Sequence, residues 1–222
     1  MTTVGIIGSG MIGGTVARLS VAARHNVVLS NSRGPETLAE LVAELGLLAA
    51  AGTAEQAAEA GDIVVVSIPV KAFGDVPVKP LAGKPILDTG NYYPRRDGQI
   101  AELDTGALTS SGLLQRDLPE SHVVKVFNNI FFKHLHSLAR PHGAADRTAL
   151  PIAGDDEAAK AAVTAFLDSI GYDAVDAGSL ADSWHQEPGT PAYGTPYGPF
   201  SDEAGTPAPA AKIHTALVGA HR

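Results

Sequence analysis

The sequence predicts an α/β fold: a doubly wound, mainly parallel sheet with helices on both faces and a small C-terminal extension. Three observations carry this. Short apolar, β-branched runs alternate with stretches of helical period. A glycine-rich turn joins the first such run to the first helix. The run at 62–68, Asp-Ile-Val-Val-Val-Ser-Ile, is apolar almost throughout, as strands covered on both faces are.

The elements follow in order. Residues 4–7 read as a strand, 11–23 as a helix and 26–30 as a second strand. Residues 35–45 form a helix with Leu38, Leu41, Val42 and Leu45 on one face, and Pro35 suits its first position, where a missing amide hydrogen does no harm. A short helix over 53–60 has Thr53 as its N-cap. Strands follow at 62–68, 85–88 and 122–127. A strand at 149–153, a helix over 155–170 and a strand at 174–176 make a further strand–helix–strand unit. From 187 to 210 the pattern breaks: five prolines and four glycines fall before Ala208, without apolar period. Such a stretch is either functional or disordered. A final helix, 211–220, has to dock back on the body to be of use. The division expected is a dinucleotide-binding domain over 1–135 and an extension over 136–222.

Composition narrows the partners. A hydrophobic fraction of 45% with 18% charged residues suits a buried core, and aromatics at 5% favour close helix–sheet packing over a core of large rings. The net charge of −8 argues against nucleic acid or an anionic membrane as the main partner. There is no cysteine, hence no disulfide, thiolate metal site or cysteine nucleophile. Neither a signal peptide nor a membrane-length apolar run is read, so a cytoplasmic protein is expected. His134 and His136, two apart on an expected helix, face different ways, and no metal site is expected from them. Phe131 and Phe132 read as core, Arg95 and Arg96 as solvated.

The strongest motif is Gly8-Ser9-Gly10-Met11-Ile12-Gly13. A bare G-x-G-x-x-G is weak, but here a strand precedes it, a helix follows, and a second strand comes after. Gly8 permits the tight turn, Gly10 lets a pyrophosphate approach the backbone, and Gly13 lets helix and strand pack closely. The phosphates then meet the amides and dipole of a helix N-terminus. This is the Rossmann-type arrangement.

At the end of the second strand a site for NAD would carry Asp or Glu for the ribose 2′-hydroxyl. This chain reads Ser30-Asn31-Ser32-Arg33-Gly34-Pro35 instead. Asn31, Ser32 and Arg33, with the amides opening the next helix, suit a 2′-phosphate of charge near −2. NADP(H) is therefore the expected cofactor.

The turn at 8–13, the tip at 30–35, Val124-Lys125-Val126-Phe127-Asn128, Ala153-Gly154-Asp155-Asp156 and Asp176-Ala177-Gly178-Ser179-Leu180 together resemble the NADP oxidoreductase family. That family includes the reductases of coenzyme F420 and the cytosolic domain of the six-transmembrane ferric reductases. The resemblance spans 4–180. It implies an enzyme in which NADPH exchanges a hydride with a deazaflavin (F420) or flavin acceptor lying over the nicotinamide. The haem-bearing membrane domain of the ferric reductases has no counterpart here.

Strand ends nominate the rest of the site. Ser67, Ile68 and Pro69 would line the wall behind the cofactor. Asn91 and Asn128 would offer amide groups to a carboxamide or to the acceptor's edge, though each also fits a turn or cap. No nucleophile or paired-carboxylate constellation is found, which is compatible with hydride transfer between flat rings, where positioning dominates. Trp184, His185 and the loop tyrosines Tyr193 and Tyr197 suit either a closing lid or a disordered tail. Two other readings keep the cofactor: reduction of a small carbonyl or imine with Tyr92, Tyr93 or His185 as proton donor, and a non-catalytic sensor exposing an apolar patch on its last helix. A small-molecule acceptor is the expected partner, and a homodimer through the C-terminal segment fits.

Overall fold

The computed structural model describes residues 2–221. Eight strands form one sheet in the order β3-β2-β1-β4-β5-β6-β7-β8: β1 (Thr3–Ile7), β2 (Asn26–Ser30), β3 (Ala49–Ala51), β4 (Ile63–Val66), β5 (Pro85–Asp88), β6 (His122–Lys125), β7 (Thr148–Gly154) and β8 (Tyr172–Asp176). β1 to β6 run parallel, β7 turns antiparallel to β6, and β8 is parallel to β7. The predicted doubly wound, mainly parallel sheet is what forms. The strand order reverses at the β1/β4 boundary, where such sheets open a crevice beyond their carboxyl ends.

The central strands explain their composition. Along β4, Ile63 and Val65 enter the core on one face of the sheet, and Val64 and Val66 enter the core on the other. Leu87 and Ile86 of β5 divide in the same way, as do Val124 and Val123 of β6. With both faces covered, there is no polar face left to alternate.

The helices are α1 (Met11–Ala22), α2 (Ala39–Leu45), α3 (Ala54–Ala60), α4 (Pro94–Asp97), α5 (Ala101–Asp104), α6 (Ser110–Asp117), α7 (Phe132–Ser137), α8 (Glu157–Ser169) and α9 (Ala210–Val218). Thr53 caps α3 as expected, and more fully: its hydroxyl accepts from the Gln56 amide at 3.2 Å while the Gln56 side chain accepts from the Thr53 amide at 2.9 Å. Replacing Thr53 by alanine is expected to cost about 1 kcal/mol, read as a lower urea midpoint with an unchanged slope.

Several boundaries differ from the sequence reading. The helix expected over 35–45 begins as a 3-10 turn, Pro35–Leu38, before α2. The Thr37 hydroxyl donates to the Gly34 carbonyl at 2.8 Å and its amide to the same oxygen at 3.2 Å, which draws in a tighter, three-residue closure. β4 stops at Val66 and β6 at Lys125, each short of the expected end. Pro69 lacks the donor a strand would need, and Phe127 adopts a positive φ of 63°. β3, three alanines without alternation, is not foreseen.

The stretch from 187 to 210 is not structureless. Ala192, Tyr197 and Ala208 are buried, and a short 3-10 turn forms at Thr195–Tyr197. The Tyr197 hydroxyl donates to the Ala149 carbonyl at 3.2 Å, and the Ala149 amide donates to the Ala208 carbonyl at 2.8 Å. This strap crosses β7 and leads to α9, which buries Ile213 and Leu217. The large apolar residues of the last helix thus face inward, apart from the exposed Val218. The apolar patch that a sensor would display is largely absent from it.

Candidate functional site

The glycine turn at the β1/α1 junction divides its duties as three different spaces. Gly8 has φ +100°, and a Cβ there would run into the Ser67 carbonyl and lie 2.7 Å from Ile68 Cγ2. A Cβ on Gly13 would collide with the Gly8 carbonyl oxygen. These two glycines serve packing: turn against the β4 loop, and helix against turn. Gly10 is different. A Cβ there would meet nothing within 4 Å. It caps α1 in extended conformation, where the first-turn amides lack intrahelical acceptors. Ser9 and Ile12 flank it half-buried, and Met11 is 70% exposed beside it. Open space, free amides and a dipole of a 12-residue helix fit a dinucleotide pyrophosphate.

The β2 tip is built by Asn31. Its Oδ1 accepts from the Arg33 amide at 2.9 Å, and its Nδ2 donates to Thr37 Oγ1 at 2.8 Å. Asn31 therefore shapes the loop and leaves Ser32 and Arg33 exposed at its crest. The Arg33 guanidinium has no ion pair among the described residues, whereas Arg18, Arg96, Arg116, Arg140 and Arg147 each hold a carboxylate. Two details differ from expectation. The Thr37 amide is already bonded to Gly34, and the Glu36 carboxylate folds back over the Cα of Gly34.

Ser67, Ile68 and Pro69 leave β4 half-buried and stand against the glycine turn. Asn91 and Asn128 come together from the ends of β5 and β6. Asn91 Nδ2 donates to the Asn128 carbonyl at 2.8 Å, and Asn128 Nδ2 donates to Asn91 Oδ1 at 3.0 Å. Asn128 also donates to the Gln186 carbonyl at 2.7 Å and accepts from Gln186 Nε2 at 3.0 Å. Both amide hydrogens of Asn128 are thus engaged within the protein. The positive φ of Phe127, itself fully buried, aims Asn128 and Asn129 into this cluster.

Beneath it lies a charged group that the sequence reading passed over. Asp88 ends β5 and Lys125 ends β6; they are register partners and neither side chain is exposed. Lys125 Nζ donates to Asp88 Oδ2 at 3.2 Å, to Ser110 Oγ at 2.8 Å and to the Gly90 carbonyl. Asp88 also accepts from Ser111 Oγ at 2.6 Å and from the Gly90 amide at 2.7 Å. Ser110 donates through its hydroxyl to Glu187, the root of the strap, at 2.9 Å. A signal was present: a lysine inside Val-Val-Lys-Val-Phe and an aspartate closing Pro-Ile-Leu-Asp put charge on doubly covered strands.

The strap reaches the crevice at Tyr193. Its hydroxyl lies 2.7 Å from that of Tyr93, and the Gly194 amide donates to the Asn129 carbonyl at 2.8 Å. Burial and the Tyr193 hydroxyl push the Tyr93 phenol well above its ordinary range. Arg96 is not free in solvent: it sits 4.9 Å over the Tyr93 ring and donates to Asp97 and to the Asn91 carbonyl. Burial would raise the Asp97 carboxyl, yet the Arg96 and Tyr93 hydrogen bonds hold it below the usual range. Tyr197, offered with Tyr193 as a lid tyrosine, is wholly buried instead. The other donor candidates are occupied: Tyr92 donates to Asp104, and His185 meets the Asp182 carbonyl at 2.7 Å and stacks on Trp184.

Comparisons with known proteins agree with this geometry. Residues 3–92 match the family described as NADP oxidoreductase, coenzyme F420-dependent. The Escherichia coli (strain K12) protein YjhV is 42% identical over 53 residues, a match spanning 24% of this chain and 39% of YjhV. A hypothetical protein of Sinorhizobium meliloti superposes with TM-score 0.73 at 28% identity, covering 85% of this chain and 91% of its own. An Arthrobacter sp. FB24 protein, for which an F420-dependent NADP-reductase activity is proposed, superposes with TM-score 0.68 at 23% identity, covering 82% and 87%. No helix among the described residues is long and apolar enough to cross a membrane. The family match over residues 3–92 takes in the glycine turn and strands β1 to β5.

Proposed function

We propose that this protein binds NADPH across the β1/β4 crevice and presents its nicotinamide to a flat, flavin-like acceptor of the deazaflavin type. The observation that carries the reading is the open Cα of Gly10 at the N-terminus of α1, between two glycines that are closed by packing. When bound, NADPH supplies a hydride; the rest is what the chain's own residues do. The α1 amides hold the pyrophosphate. Ser32 and Arg33 receive the 2′-phosphate by charge-assisted hydrogen bonds. Ile68 and Pro69 form an apolar wall that excludes water from the nicotinamide half. The paired Asn91 and Asn128, fixed from below by Lys125, keep the β5 and β6 loops in place around it. Positioning of this kind is the main demand of hydride chemistry between two rings.

Stopped-flow oxidation of bound NADPH on mixing with a deazaflavin, riboflavin and a panel of carbonyls and imines tests the reading. Rapid oxidation with deazaflavin supports it. Oxidation by carbonyls or imines alone makes the protein a small-substrate reductase, and no oxidation by any acceptor makes it a cofactor-binding module. Arg33→Ala is expected to weaken NADPH binding at least tenfold and leave NADH binding nearly unchanged, as measured by calorimetry. Equal losses for both cofactors would remove Arg33 from the phosphate site.

A further inference from the structure

The loop that offers a cation to the 2′-phosphate also carries an anion. β2 itself ends without a carboxylate, but Glu36, three residues beyond Arg33, brings one back from the following turn. The backbone fixes where that carboxylate can go. Asn31 joins the two limbs of the loop, accepting from the Arg33 amide at 2.9 Å and donating to Thr37 Oγ1 at 2.8 Å. Thr37 in turn is bonded twice to the Gly34 carbonyl, through its hydroxyl and its amide. Gly34 adopts φ +104°, a conformation that favours glycine. The hollow left by its missing side chain is filled by the Glu36 carboxylate, and a Cβ there would run into both oxygens.

A glutamate in a first turn ordinarily serves the helix amides. Here the turn, Pro35–Leu38, is only four residues long. Pro35 offers no amide hydrogen, and that of Thr37 is already spent on Gly34. Among the described residues the Glu36 carboxylate makes no hydrogen bond and no ion pair, not even with Arg33. A cation and an anion thus stand exposed and unpaired in one short loop. A phosphate held by Arg33 would lie within roughly a Debye length, ~8–10 Å, of this carboxylate, near enough for a repulsion that salt only partly screens. The same carboxylate does not oppose an unphosphorylated ribose, whose 2′-hydroxyl can donate to an acid.

We infer that Glu36 sets how sharply this protein discriminates between the two dinucleotides: it opposes the phosphate of NADPH and spares NADH. The inference rests on the phosphate placement given above and adds a determinant of its selectivity. Glu36 acts by charge, against Arg33, from the other limb of the same loop.

Calorimetric titration of wild type, Glu36→Gln and Glu40→Gln with NADPH and with NADH, at low and at high salt, tests it. Glutamine keeps the size and an oxygen acceptor and removes the charge. Glu40, exposed in the first turn of α2, controls for net charge alone. Glu36→Gln is expected to bind NADPH about three- to tenfold more tightly at low salt, with a smaller gain at high salt and NADH within about twofold of wild type. Glu40→Gln should leave both affinities near those of wild type. Unchanged NADPH affinity in Glu36→Gln overturns the inference, as does an equal gain for NADH or an equal gain in Glu40→Gln. Arg33→Ala keeps this result apart from the reading it rests on. A selective loss of NADPH there, with no gain in Glu36→Gln, overturns the role of Glu36 alone. Equal losses of both cofactors in Arg33→Ala remove the phosphate site itself.

Discussion

Gly10→Val is expected to weaken NADPH binding by about a hundredfold, equivalent to about 2.7 kcal/mol, and to leave the melting temperature within about 2 °C of wild type. The two halves of this expectation come from one fact. Gly10 has an extended backbone that any residue adopts, and a Cβ there meets nothing within 4 Å, so the folded protein has no reason to object. The space that valine would fill is the space a pyrophosphate needs in order to reach the α1 amides. Gly13→Ala is the control with the opposite signature. Its Cβ collides with the Gly8 carbonyl, so helix and turn must separate, at a cost of about 1–3 kcal/mol in stability. Thermal melts and calorimetric titrations of the two variants decide the matter. If Gly10→Val bound NADPH normally, the pyrophosphate would lie elsewhere. If it melted far below wild type, the open space at Gly10 would not exist in solution.

Lys125→Met is expected to destabilise the fold by about 3–5 kcal/mol, because it leaves Asp88 charged, buried and without its cation. The remaining donors, Ser111 and the Gly90 amide, bond the carboxylate but do not neutralise it. Asp88→Asn combined with Lys125→Met removes both charges, and most of the lost stability should return. Urea unfolding of the two single variants and the double variant measures this. Losses that simply add would mean that the two side chains are not coupled. The expectation bears on function as well as stability. Lys125 also holds the Gly90 carbonyl and the Ser110 hydroxyl, and Ser110 holds Glu187. One buried cation therefore joins the β5 loop, the start of α6 and the root of the strap.

The first half of the chain was the more legible. Residues 26–30 and 85–88 form strands over the expected spans, and Thr53 caps its helix. In these places local preference and burial ask for the same thing: β-branched residues on a doubly covered strand, a hydroxyl at a helix start. Where they diverged, expectation slipped. Ala49–Ala51 carries no strand signal, and is a strand because β2 presents an open edge beside it. Phe127 is a phenylalanine in a glycine-like conformation, which no sequence pattern announces. The strap looked like a choice between lid and tail because proline and glycine suppress regular structure. They do not prevent burial, and Tyr197, Ala192 and Ala208 anchor the segment through long-range contacts.

The amino-acid sequence by itself determined the sheet, the phosphate-binding turn and the absence of a carboxylate at the β2 tip. Each of these is set by residues within one strand–turn–helix unit, where size, periodicity and charge act over a few positions. Only the tertiary structure decided that Asn91, Asn128 and Gln186 bond to one another, that Lys125 answers Asp88, and that Tyr193 meets Tyr93 a hundred residues away. Those contacts depend on which strand ends the sheet brings side by side. Strand order is a property of how the whole chain closes on its two cores, and no single segment contains it.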